Sequence, residues 1–170
     1  MKRAEGFSLI EVILVILLVG ILAAVLIPPF RQSVQSYSAV ETRGDLNSQA
    51  REAVTRMIRE LRNIQKEADN TPNITAADAA SITFVDVLDN TITFSLAGSA
   101  VQRGSDSLVD NVSSLQFRYF DGSNAELTTL PLSAADRDNV RRIMLVLTLA
   151  EGDQTILMTE QAFLRELTGY

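Results

Sequence analysis

One carboxylate inside a run of hydrocarbon is the first place where this chain could do chemistry. Glu11 stands in GFSLIEVILVILLVGILAAVLIPPF, residues 6–30, where Phe7 to Ile27 is otherwise apolar apart from Ser8 and Gly20. A carboxylate at that depth costs about 2.5–3.5 kcal/mol on insertion scales. It can snorkel to the interface, or it can meet a positive charge. A cut after Gly6 would create such a charge, the α-amine of Phe7, on the same chain or on a neighbour.

Other reactive groups are scarce. The 170 residues include no His, no Cys and no Trp. The commonest acid–base and nucleophilic arrangements are therefore missing. The serines lack a GxSxG elbow, and Gly98 and Gly104 are isolated, so no phosphate loop is expected. Asp86, Asp89, Asp106, Asp110 and Asp121 fall in or near loops. Oxygen ligands suit calcium, but their spacing matches no binding loop, and solvated charge is the default reading. No enzyme, no cofactor and no metal site is expected. The net charge of −6 argues against nucleic acid as the main partner.

The element that must position Glu11 is a helix. From Phe7 to Ile27 it would span about 31 Å, close to the hydrocarbon core of a bilayer. A secretory signal would be shorter and would end in a small-x-small cleavage site. Lys2 and Arg3 precede the run and favour a cytoplasmic N-terminus, with the rest of the chain outside. Pro28 and Pro29 remove two backbone donors and predict a break or kink.

Gly6-Phe7-Ser8-Leu9-Ile10-Glu11-Val12 resembles the processing site of type IV prepilins and type II secretion pseudopilins. The resemblance implies cleavage by a membrane aspartic peptidase after Gly6 and N-methylation of Phe7. It also implies that Glu11 pairs with the N-terminus of an adjacent subunit, and that the helix can loosen at Pro28. Glu5, an acidic residue just before the cut, departs from the pattern. The partners implied are other pilin or pseudopilin subunits, prepilin peptidase and an inner-membrane assembly platform. Residues 1–6 would then be a leader, 7–29 a transmembrane and assembly helix, 30–68 its amphipathic extension and 69–170 a sheet domain. Without Cys the C-terminal disulfide loop of many major pilins is absent.

Past the prolines, residues 30–66 read as a polar helix. Leu46, Ala50, Ala53, Met57, Leu61 and Ile64 recur at spacings of three and four, and Val54 and Ile58 widen the stripe. Arg51, Glu52, Arg56, Arg59, Glu60 and Arg62 fall mostly on other faces. The stripe predicts packing under a sheet or, alternatively, a coiled-coil seam. Residues 67–81 read as a linker.

Strands follow. Residues 82–85 and 91–96 form a hairpin, with Ile92, Phe94 and Leu96 alternating against Thr and Ser. Residues 98–110 read as a loop with one short strand around Val101 to Arg103. Leu115, Phe117 and Tyr119 alternate in the next strand, which Asp121-Gly122 closes as a turn. Residues 128–139 read as a polar connection. Val140 to Leu149 is the strongest strand and predicts a central position. Gly152-Asp153 turns the chain into a last strand, which residues 159–167 extend or follow with a helical turn.

The expected fold class is α+β: a long N-terminal helix, transmembrane in one half and amphipathic in the other, packed on four to six antiparallel strands. Pilins and pseudopilins share that architecture. SLQFRYFDG, then LP, then VRRIMLVLTL, is similar to J-type minor pseudopilins and PilW-type minor pilins. That implies a minor subunit that primes or caps a filament, in the inner membrane before assembly and in a pilus or pseudopilus afterwards. Two alternatives stay open: a major, filament-forming pilin, and a membrane-anchored binding module that never polymerises.

Overall fold

The computed structural model describes residues 8–164, with the backbone alone over 27–39. They form two units, one ending at Glu41 and one beginning at Thr42. Helix α1 runs over Leu9–Leu61. The apolar half of this helix belongs to the first unit. Its amphipathic half and all the strands belong to the second.

The stripe read from the sequence is the buried face of the second unit. Leu46, Ala50, Ala53, Val54, Met57, Ile58, Leu61 and Ile64 are each no more than 6% exposed. They join one core with Phe84, Phe94, Phe117, Tyr119 and the inward residues of the last long strands. Burying a Leu or Met side chain is worth about 1.5–3 kcal/mol, so this face alone holds the helix against the strands.

The fold is α+β, as expected, but the strands form two sheets. The first contains β1 (Ile74–Ala77), β2 (Ser81–Val85), β3 (Thr91–Ala97), β4 (Ala100–Arg103) and β5 (Asp106–Val109), in that order. The second contains β6 (Val112–Phe120), β7 (Glu126–Leu127), β8 (Arg142–Glu151) and β9 (Gln154–Phe163), in the order β7-β6-β8-β9. Every pairing is antiparallel. The four to six strands expected become nine among the described residues.

β4 is the short strand expected around Val101 to Arg103, and the extra strands come from stretches read as loops. Gly104 sits at φ 61°, and Arg103 pairs with Asp106 across it. Residues 104–105 are thus a two-residue hairpin turn that needs a left-handed first position, which glycine supplies at no steric cost. Gly152, at φ 56° between Glu151 and Gln154, does the same for β8 and β9. The linker 67–81 contains β1, and the connection 128–139 contains a short helix α2 (Ala134–Asp138). Ser133 opens α2: its hydroxyl accepts from the Asp136 N–H, and Arg137 Nε then donates to the Ile74 carbonyl at 2.9 Å, which pins the helix to β1.

Two further corrections concern α1. It ends at Leu61, not near Lys66, because the next residues pair with strands instead. The Gln65 N–H donates to the Val85 carbonyl at 2.8 Å, and Ile64 bridges Asp86. The helical backbone also continues through Pro28 and Pro29, where a break was expected. A proline ring fits helical φ, so what is lost is two donors, and the carbonyls of Ala24 and Val25 go without their intrahelical partners.

β8 is central, as its apolar run predicts, with Ile143, Leu145, Leu147 and Leu149 fully buried. The tail past residue 159 extends β9 to Phe163. The expectations for residues 165–167 lie outside the described residues. The two sheets meet at Tyr119, whose hydroxyl donates to the Asp78 carbonyl at 2.9 Å. Burial raises the pKa of that phenol well above its ordinary value. At the same end of β6, Arg142 lies 3.8 Å from the centre of the Phe120 ring, and Arg118 pairs with Glu126 through two hydrogen bonds.

Candidate functional site

Helix α1 opens at Ser8, whose carbonyl accepts from the Glu11 N–H at 3.0 Å and the Val12 N–H at 3.3 Å. The following span, Leu9–Leu26, has a mean hydropathy of 3.2, and none of it is buried. Leu9 is 78% exposed and Val25 66%. By length and composition this segment can cross a membrane. An unburied apolar surface of this kind suits lipid or other helices.

Glu11 is exposed in the first turns of this helix. Among the described residues its carboxylate makes no ion pair. A negative charge near a helix N-terminus is favoured by the helix dipole, which offsets part of its cost in an apolar setting. Gly6 and Phe7, the two residues singled out for processing, lie outside the described residues. Pro28 and Pro29 stand beyond the apolar span, within continuous helix.

Residues 1–27 match the family model of the prokaryotic N-terminal methylation motif. This is the signal of prepilin-processed, type IV pilin-like proteins. It points to a structural subunit handled by prepilin peptidase and assembled with other pilin-like subunits. With a single apolar N-terminal helix, it is compatible with an inner-membrane anchor. No curated protein matches the chain.

The loop aspartates are engaged in holding turns. Asp86 accepts from the N–H groups of Leu88 and Asn90, both at 2.9 Å, and the bond from Asn90 holds its carboxyl below the usual range. Asp121 accepts from Ser123 and Ala125, and its carboxyl is lowered chiefly by the Ser123 hydroxyl. Asp89 accepts from Gln65 at 2.6 Å and Asp110 from Ser107 at 3.0 Å. No three acidic side chains among the described residues converge as a metal site would require.

One feature escaped the sequence reading. A groove of about 610 Å³ runs between the amphipathic half of α1 and β9. Val54, Ile58 and Met158 line its floor, and Arg51, Arg59 and Arg62 its rim. The helical spacing of those arginines was visible, but nothing in the sequence placed β9 beside them.

Proposed function

We propose that the chain is a minor pilin or minor pseudopilin that primes or caps a type IV pilus or type II secretion pseudopilus. Prepilin peptidase cuts between Gly6 and Phe7, and the new N-terminus is methylated. Residues 1–6 are the leader, 7–29 the transmembrane and assembly helix, 30–68 its extension and 69–170 the sheet domain. The subunit waits in the inner membrane with its sheet domain outside the cytoplasm. Assembly moves the apolar helix out of lipid and among other subunits' helices. The gain there is packing and charge neutralisation, since lipid is already apolar. Glu11, set against a neighbour's Phe7 amine, fixes the axial register. Pro28 and Pro29, with two donors missing, give the helix a place to loosen when it packs.

The observation that carries this reading is the exposed carboxylate of Glu11 in an otherwise unpartnered apolar helix that matches the methylation motif. The assignment to a minor subunit rests on the resemblance of SLQFRYFDG and VRRIMLVLTL to J-type minor pseudopilins and PilW-type minor pilins, and on the absence of Cys.

Intact mass and N-terminal sequencing of the protein from membranes, with and without prepilin peptidase, test the processing. A mature chain beginning with methylated Phe7 only when the peptidase is present is the expected result. A chain starting at Met1 in both samples would leave a membrane-anchored protein that is never processed.

A further inference from the structure

β9 is one of the two edge strands of its sheet, the other being the two-residue β7. Its ten residues include no proline and no lysine, the usual guards of an open edge. Arg62 donates to the Gln161 carbonyl at 3.3 Å, so that carbonyl faces away from β8. Antiparallel alternation then turns the backbone groups of Thr155, Leu157 and Thr159 to the same open side. Leu157 is 65% exposed.

The arginine-rimmed groove adjoins this edge, and its charge is one-sided. Three guanidiniums face one carboxylate, Glu160, in a chain whose net charge is −6. Elsewhere Arg56, Arg103 and Arg118 each have a carboxylate partner. Arg51 and Arg59 have none among the described residues.

We propose that the β9 edge and its groove take an acidic, extended segment of a neighbouring subunit, added as a further strand. Main-chain hydrogen bonds to Thr155, Leu157 and Thr159 would supply affinity, and carboxylates reaching Arg51 and Arg59 would supply direction and register. This chain carries a strand of that chemistry itself. β5, followed by Asp110, is a short acidic edge strand beside Glu52, along a second groove of the same helix. The occupant is a strand of the β5 kind on an adjacent subunit. That assignment rests on the subunit reading above, whereas the binding is tested without it.

The test uses the full chain in detergent and a peptide copying residues 105–111, SDSLVDN. The peptide is expected to bind at low salt and to slow hydrogen exchange at 155–159. The same peptide carrying D106N and D110N is expected to bind roughly tenfold more weakly, as is the acidic peptide to R51E/R59E. R43E, an exposed change elsewhere on the helix, controls for charge reversal as such and is expected to leave binding unchanged. Equal binding of the acidic and neutral peptides, an unaffected R51E/R59E, or binding without protection at 155–159 would overturn the proposal, as would no binding at all. Self-association of the chain that the peptide displaces and R51E/R59E abolishes would support it and make the adjacent subunit a second copy. None of these readouts depends on whether Phe7 is methylated.

Discussion

The two halves of α1 differ in composition and in pattern, and their fates diverge. Leu9–Leu26 is apolar on every side, and no part of it is buried. The half from Leu46 to Leu61 is apolar on one side, and that side is buried completely. An all-round apolar surface cannot be satisfied by one sheet packed on one face, so it needs lipid or a ring of other helices. A stripe can be satisfied within the chain. One half of the helix is thus completed by its own fold, and the other only by something outside it.

The sharpest test of that contrast is truncation on each side. Phe94→Ala or Met57→Ala is expected to destabilise the sheet unit by about 3–5 and 2–5 kcal/mol, respectively, in thermal or denaturant unfolding. Leu17→Ala is expected to leave the same transition in place, since its side chain is 59% exposed. Equal losses would mean that the apolar half supports the sheets after all.

Glu11→Gln tests the same difference through charge. It removes the carboxylate and keeps its shape. Membrane insertion is expected to hold or improve, because a charge costing about 2.5–3.5 kcal/mol has gone. Incorporation into sheared filaments is expected to fall, with the unfolding transition of the sheet unit unchanged. A variant that assembles normally would detach Glu11 from assembly.

Tyr119→Phe is a smaller change, at the junction of the two sheets. It removes the donor to the Asp78 carbonyl, a part-buried hydrogen bond, for an expected loss of about 1 kcal/mol. Tyr119 also gives a high-pH signature. A phenol raised by burial favours the neutral form, so the stability it contributes is present below its unfolded value and declines as pH rises past about 10. Tyr119→Phe is expected to flatten that decline.

The smallest effect expected is at the surface turns. Glu126, lowered chiefly by its hydrogen bonds from Arg118, and Asp121 and Asp86, lowered by their turn donors, all titrate below their ordinary values. Their contribution is therefore present above the usual carboxylate range and is lost as pH falls through their depressed values. Melting temperature is expected to drop as pH falls below about 5 and to go on falling below about pH 4, and Asp121→Asn to make that drop shallower. A melting temperature unchanged by acid would leave these turns as ornaments of the surface.

How much of this was legible beforehand depends on how strong each pattern is. The stripe from Leu46 to Ile64 repeats often enough to name its buried face residue by residue, and the run in β8 is apolar enough to place it centrally. β4 was legible as the short strand around Val101 to Arg103, but β5 was lost because DSLV is short and polar, and because Gly104-Ser105 looks like loop filler until strands are paired across it. β1 was lost for the same reason: ITAA has too few side chains to show a period. The prolines misled in the other direction, since a missing donor weakens a helix without ending it when φ already fits.

The sequence by itself determined the long apolar span and the methylation motif, because both are local. A bilayer reads consecutive apolar length, and the methylation motif is matched over consecutive residues 1–27. It also determined which face of the later helix is buried, because 3.6-residue periodicity is a property of neighbours in the chain. Only the tertiary structure decided that there are two sheets and that β9 is an edge. It alone brought that edge alongside Arg51, Arg59 and Arg62 about a hundred residues earlier in the chain. The reason is physical: strand order and edge exposure are fixed by pairings between distant segments, and no local pattern carries the energy of those pairings.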